Sequence, residues 1–232
     1  MEHKGTLYIV ATPIGNLQDI TLRAIEVFKK VDYIACEDTR KAGFLLKNLN
    51  IANDGMLISF YEEVEEKKTE NILNILKNGQ DVALVSDSGT PLISDPGFRL
   101  IRACLQDGIN VVSVPGPSAC ISALVSSGLP PDKFIFLGFL PKKEGKRMRL
   151  LEELKTANHN LEATVIIYEA PHRLIKTLKN LSQVFGDVNI VIMREMTKIH
   201  EQRLTGNIKD MIIEFENRKP KGEIVILLTT KY

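Results

Sequence analysis

The sequence predicts an α/β protein made of two consecutive α/β domains with mainly parallel or mixed sheets. Three observations carry that reading. Short apolar runs of strand length alternate along the chain with segments whose apolar residues recur at helical spacing. The stretches between strands are long enough to hold a helix, and parallel neighbours need such crossovers. Pro115-Gly116-Pro117 then stops the fifth strand and divides the chain into 1–117 and 118–232.

In the first half, residues 8–11 form a strand that breaks at TPIGN. Asp19 is placed to cap a helix in which Ile20, Leu22, Ile25, Val27 and Phe28 supply the apolar face. Residues 32–36 form a second strand ending in EDTR, residues 44–49 a short helix, and residues 56–60 a third strand. A charged helix covers 62–77, a fourth strand 81–86, a helix 97–106 and a fifth strand 110–114. In the second half, helices are expected over 118–127, 146–154, 173–185 and 206–215. Strands are expected over 134–139, 164–168, 189–193 and 223–229.

With 232 residues, 44% hydrophobic and 25% charged, the chain is long enough for a sizeable core. Its apolar runs are too short for a membrane helix, and the first residues lack the apolar stretch of a signal peptide. Cys36, Cys104 and Cys120 are scattered without a C-x-x-C pair, which suits free buried thiols in a reducing cytoplasm. Charge is unevenly divided. Residues 1–117 hold 12 Lys/Arg against 16 Asp/Glu, and residues 118–232 hold 18 against 13. A basic second half points to an anionic partner there.

The segment ALVSDSGTPLISDPGF, residues 83–98, is an apolar strand running into a stiff polar loop. Ligands of open α/β sheets bind at the carboxyl ends of strands. Here those ends carry TPIGN, CEDTR, SDSGTP, VPGPSA, YEAPHR and REMTK. The first loop lacks G-x-G-x-x-G, no G-x-x-x-x-G-K-S/T is present, and no G-x-S-x-G supports a serine nucleophile. DSGT faintly resembles the acidic-glycine turn of Rossmann-type methyltransferases, but it follows the wrong strand. The four histidines have no metal-ligand spacing; only His172 and His200 lie in strand-end loops.

Taken in order, GTLYIVATPIGNLQDITLRA, EDTR, ALVSDSGTPLISDPG, VPGPSA, YEAPHR, REMTK, HE and KGE closely resemble the small-subunit ribosomal RNA methyltransferase I family. That family belongs to the tetrapyrrole-methylase superfamily, and the resemblance covers about residues 5–228. It implies an S-adenosyl-L-methionine-dependent cytoplasmic homodimer, with the methyl donor in a cleft between the two domains and no metal. It implies 2′-O-methylation of a cytidine ribose in 16S rRNA, in the decoding centre of the 30S subunit. Thr12-Pro13-Ile14-Gly15-Asn16 and Gly89-Thr90-Pro91 depart from the Gly-Asp turns of porphyrin methylases, which disfavours a tetrapyrrole substrate. Many relatives carry a C-terminal helical extension beyond the position of Tyr232, and any RNA contact it makes is expected to be missing here.

The resemblance places Pro13, Gly15, Ser88, Gly89, Thr90, Ile93, Ser118 and Ala119 at the donor, with Tyr168, Glu169 and Met196 from the second domain. A ribose hydroxyl needs a positioned proton acceptor. Asp38 is the first candidate, with Glu37 and Asp87 as rivals; the alternative for Asp38 is a helix N-cap or an ion pair with Arg40. For RNA, the run PKKEGKRMR supplies Lys142, Lys143, Lys146, Arg147 and Arg149, expected to swing as a loop; Arg40, Arg173 and Lys198 sit in strand-end loops. Two other readings predict different behaviour. A porphyrin-type small-molecule methyltransferase would want a roomy apolar cleft, and a non-catalytic RNA-binding module would not bind the donor.

Overall fold

The computed structural model of the chain describes residues 3–52 and 55–229. The chain end at Tyr232 lies outside them. Two compact units are present: unit 1 ends at Ser118 and unit 2 begins at Ala119.

Unit 1 holds strands β1 (Thr6–Val10), β2 (Tyr33–Cys36), β3 (Leu57–Ser59), β4 (Val82–Val85) and β5 (Asn110–Val114). Helices α1 (Leu22–Lys30), α2 (Thr39–Asn48), α3 (Glu65–Lys77) and α4 (Phe98–Gln106) connect them. All neighbouring strands are parallel, in the order β3-β2-β4-β1-β5. Successive side chains of a strand face opposite ways, and the burial follows that rule. Val10, Ala83 and Val85 pack with α1 and α2, through Ala24, Phe28, Ala42 and Leu46. Leu7, Ile9, Val82 and Leu84 pack with α3 and α4, through Ile72, Leu76, Leu100 and Cys104. The sheet is thus covered on both faces, as a buried parallel sheet must be.

This winding fixes where a crevice forms. The chain leaves β1 and β2 through helices on one face, and leaves β4, which lies between them, through a helix on the other. Ligand sites of open α/β sheets lie at such a reversal. Two starts differ from expectation. Thr21, not Asp19, caps α1, its side chain accepting from the Ala24 amide at 3.1 Å. Helix α2 begins at Thr39 rather than 44, because Asp38 acts as its N-cap and accepts from the Arg40 amide.

Unit 2 holds α5 (Ala119–Ser127), β6 (Phe134–Phe139), α6 (Glu144–Asn158), β7 (Thr164–Glu169), α7 (Leu174–Phe185), β8 (Asn189–Arg194), β9 (Gln202–Asn207), α8 (Ile208–Asn217) and β10 (Ile224–Leu228). The sheet order is β6-β7-β10-β8-β9, parallel only between β6 and β7. One core joins α6, α7 and α8 to the sheet through Leu151, Leu178, Met211, Ile167, Ile192 and Ile226. Helix α5 packs on β7, β8 and β10. Edge strand β9 has no counterpart in the sequence reading. QRLTGN buries little and has no apolar alternation, and it pairs antiparallel with β8 through its backbone. Among the described residues, no helix is long and apolar enough to cross a membrane.

Candidate functional site

In unit 1, three of the sequence-marked loops are stitched together at the strand ends. Thr12 and Gly89 form an antiparallel bridge, with Thr12 N donating to Gly89 O at 2.8 Å and Gly89 N returning to Thr12 O at 3.0 Å. Thr90 Oγ1 donates to Pro117 O at 2.9 Å, which ties the SDSGTP turn to the PGPS turn. Ser86 is buried at the end of β4 and its hydroxyl donates to Ser88 O at 3.1 Å. The loops after β1, β4 and β5 therefore hold one arrangement.

A cavity of about 610 Å³ opens beside them. Pro13, Gly15, Cys36, Asp38, Arg40, Ser86 and Asp87 are among the residues lining it. The residues come from the ends of β1, β2 and β4, where the winding reverses. The cavity thus brings together two of the three proposed acids and two of the proposed donor contacts. It does not bring in Thr90, which faces Pro117, or Ile93, which is partly exposed in the following loop.

Acidic groups dominate this end of the sheet. Glu37 Oε1 accepts from the Asp87 amide at 3.2 Å, and Asp87 Oδ1 accepts from the Asp38 amide at 3.1 Å. Asp87 Oδ2 pairs with Lys41 Nζ at 2.6 Å. Burial raises the proton affinity of Glu37, against the lowering effect of the Asp87 amide and Lys41. Asp95, from the SDPG segment, is pushed up to about 7, first by burial and then by the charges of Glu37 and Asp87; a hydrogen bond from Ser86 opposes the shift. Cys36 is pushed up to about 12 by burial and by Asp87, Asp38 and Glu37.

Asp38 behaves in the opposite way. Its carboxylate takes both the Nε of Arg40 at 3.0 Å and the Nη2 at 2.7 Å, besides capping α2. These bonds hold it well below the usual carboxylate range. A carboxylate held this strongly in its charged form is a weak base, which weighs against Asp38 and towards a neighbouring acid as proton acceptor. Asp95 was missed in the sequence because it sits inside the loop motif, next to Pro96, where turn chemistry accounts for it. The available signal was that it is the fourth acid, after Glu37, Asp38 and Asp87, near the ends of two adjacent strands. Glu65 was missed for a related reason: it reads as one charge of a solvated helix, yet it caps α4 through the amides of Gly97 and Arg99, both at 3.1 Å.

Two loops are strained in the same pattern. Leu92 and Ser94 have φ of 72° and 74°, on either side of Ile93. In unit 2, Glu195 and Thr197 have φ of 53° and 64°, on either side of Met196. Each such residue costs about 1–3 kcal/mol, and strain of this kind collects at ligand sites. Ile93 and Met196 are both among the residues that the resemblance set at the donor. The Arg194 Nε and Thr197 Oγ1 atoms are buried without a hydrogen-bond partner among the described residues. Both can donate, so the turn after β8 is prepared for an acceptor.

The other marked residues of unit 2 divide by burial. Glu169 is buried; it accepts from the Ala170 amide, Thr177 Oγ1 and the Arg173 guanidinium, so its carboxylate serves the fold. Arg173 also donates to Leu140 O at 2.7 Å. Arg147 requires a correction. It is only 4% exposed, with Nε on Asn180 Oδ1 at 2.6 Å and Nη1 on the carbonyls of Pro141 and Lys142. Its charge satisfies buried acceptors and is not offered to RNA. The loop part of the run is shorter than expected, since α6 begins at Glu144 rather than at 146. Lys142, Lys143, Lys146 and Arg149 are exposed, and Arg149 pairs with Glu153. Lys198 is bound by Glu195 and Glu223. Arg40 remains exposed on its Asp38 pair. Among the described residues, no group of three or more His, Cys, Asp or Glu side chains is placed to hold a metal ion.

Comparison with known proteins follows the same residues. The family model described as "Tetrapyrrole (Corrin/Porphyrin) Methylases" matches residues 6–212. A protein of Thermotoga maritima named "Ribosomal RNA small subunit methyltransferase I" is 46% identical over 227 residues, covering 98% of this chain and 99% of its own. One of the same name from a Hydrogenobaculum species is 47% identical, covering 96% and 95%. Another from Halalkalibacterium halodurans is 42% identical, covering 98% of this chain and 76% of its own. With a match this long, and with relatives this similar from end to end, the chain belongs to the tetrapyrrole (corrin/porphyrin) methylase family.

Proposed function

We propose that the chain transfers a methyl group from S-adenosyl-L-methionine to ribosomal RNA of the small subunit. The observation that carries this reading is the relatives' shared name at 42–47% identity over nearly the whole chain. In its finer form, the acceptor is the 2′-hydroxyl of a cytidine in the decoding centre of the 30S subunit, and the enzyme is a cytoplasmic homodimer.

The residues at the strand ends of unit 1 suit this chemistry. When bound, the donor supplies a methyl group on a sulfonium cation. Glu37, Asp87 and Asp95 give this end of the sheet a negative potential that favours a cation. The bridged Thr12–Gly89 loops hold the main chain in place, so Pro13, Gly15, Ser88, Gly89 and Thr90 are our donor-binding set, with Ile93, Ser118, Ala119 and Met196 as further contacts. A hydroxyl must lose its proton as the new O–C bond forms. Asp95 is the group whose proton affinity lies near neutrality, and Ser86 hydrogen-bonds to it from the cavity wall. We assign Asp95 as proton acceptor through Ser86, whose hydroxyl turns from the Ser88 carbonyl to pass its proton to Asp95 as it takes the ribose proton. Alignment of the reacting groups contributes several kcal/mol more.

Incubating the chain with labelled donor and either unmodified small ribosomal subunits or uroporphyrinogen tests the reading. Label is expected in the rRNA and not in the tetrapyrrole; the reverse result rejects it. Calorimetry with the donor alone separates an enzyme from a module that only binds RNA, since the latter gives no heat.

A further inference from the structure

The carboxyl end of β6 carries an aromatic group that the donor chemistry does not use. Strand β6 reads FIFLGF, an apolar sequence on a sheet edge, and Phe139 is 54% exposed at its end. In a regular strand Phe136 and Phe139 would point to opposite faces, since they are three residues apart. The register against β7 slips between them: Phe136 pairs with Ile166, but Phe139 pairs with Tyr168. The extra residue lies at the turn-like Gly138, whose φ of 59° suits glycine. A bulge re-aims the side chain after it. Both Phe rings consequently meet Tyr168 edge-on, Phe136 at 4.8 Å and Phe139 at 5.8 Å between centroids.

The segment that follows is held rigidly. The carbonyls of Leu140, Pro141 and Lys142 accept from the guanidinium groups of Arg173 and Arg147. Lys142, Lys143 and Lys146 come next, exposed, and their side chains form no ion pair with the described residues. An exposed ring on an aromatic support, followed immediately by unneutralised cations, is the combination that binds single-stranded nucleic acid. The ring face takes a base and the cations take the adjoining phosphates.

We propose that Phe139, backed by Tyr168 and flanked by Lys142, Lys143 and Lys146, is a stacking site for an unpaired RNA base. This rests on the RNA-methylation reading above. It assigns a base contact in a chain with only 6% aromatic residues and no Trp. The two buried arginines act as positioning residues for the site.

The absence of Trp supplies the test, because Phe139→Trp introduces a single indole at the site. Its emission is measured in the full chain with a short unstructured RNA, with an abasic ribose-phosphate oligomer of equal length, and with S-adenosyl-L-methionine. Quenching by the RNA alone is expected. Phe139→Ala is expected to bind the RNA about tenfold more weakly, to bind the abasic oligomer unchanged, and to be rescued by Phe139→Tyr. Equal RNA affinity in Phe139→Ala, or quenching by the donor or the abasic oligomer, overturns the proposal. Methyl transfer to small subunits by the unsubstituted chain is measured alongside. If transfer occurs while any overturning result holds, only the stacking site is lost. If neither transfer nor RNA binding occurs, the functional reading falls and takes the site with it.

Discussion

Asp38 and Asp95 leave neighbouring strand ends with opposite proton affinities. Asp38 is held charged by Arg40, whereas Asp95 is pushed up to about 7 by burial and by two other carboxylates. The second shift has a stability consequence whose sign is fixed. The folded state binds the Asp95 proton more tightly than the unfolded state does, so stability falls as pH rises from the ordinary carboxylate range to about 7, then levels off. Asp95→Asn removes that cost. At pH 8 it is expected to stabilise the protein by about 1 kcal/mol, discounted for the partial exposure of the group, and to have no such benefit at pH 4. Thermal melts at both pH values check this. The same substitution is expected to reduce methyl transfer at least about a hundredfold if Asp95 takes the proton. These two acids also mark how far single residues were legible. EDTR showed that acids gather at the end of β2 and offered Asp38 as a helix cap or an ion pair with Arg40, and both are present. Asp95 was visible as one more acid near those strand ends, but its raised proton affinity was not, because that depends on what surrounds a group in space.

Helix α6 places two cations side by side with different work to do. Arg147 is buried on Asn180 and two carbonyls, while Lys146 is exposed. Arg147→Met leaves those acceptors without donors and is expected to cost about 2 kcal/mol. Lys146→Met is expected to stay within about 0.5 kcal/mol. Urea titration of both variants decides. Elements with a strong apolar period were legible: β5 and β6 run over the residues expected, and α4 begins one residue later than expected. Three features were not. Strand β9 is made by pairing rather than by its side chains, α2 begins on a cap ahead of its apolar residues, and the β6 bulge is visible only against β7.

Across the whole molecule, acid gathers in one half of the sequence and base in the other, and this division was readable by counting. The count did not separate cations at the surface from those inside. Only exposed cations can reach phosphates and release counterions. Replacing Lys142, Lys143 and Lys146 together by Ala is expected to lower the slope of log affinity against log salt by about 2–3, while leaving donor affinity unchanged. Binding measured from low to moderate salt is the check, and an unchanged slope places the RNA elsewhere.

Cys36 forms part of the cavity wall in unit 1, and its thiol is only 1% exposed and strongly protonated. The thiolate is the form that alkylating reagents attack, so the folded chain carries a slow chemical clock at its candidate site. A compound that fills the cavity stops this clock, and one that binds elsewhere lets it run. Cys104, sealed in the core on the opposite face of the same sheet, keeps reference time for global opening.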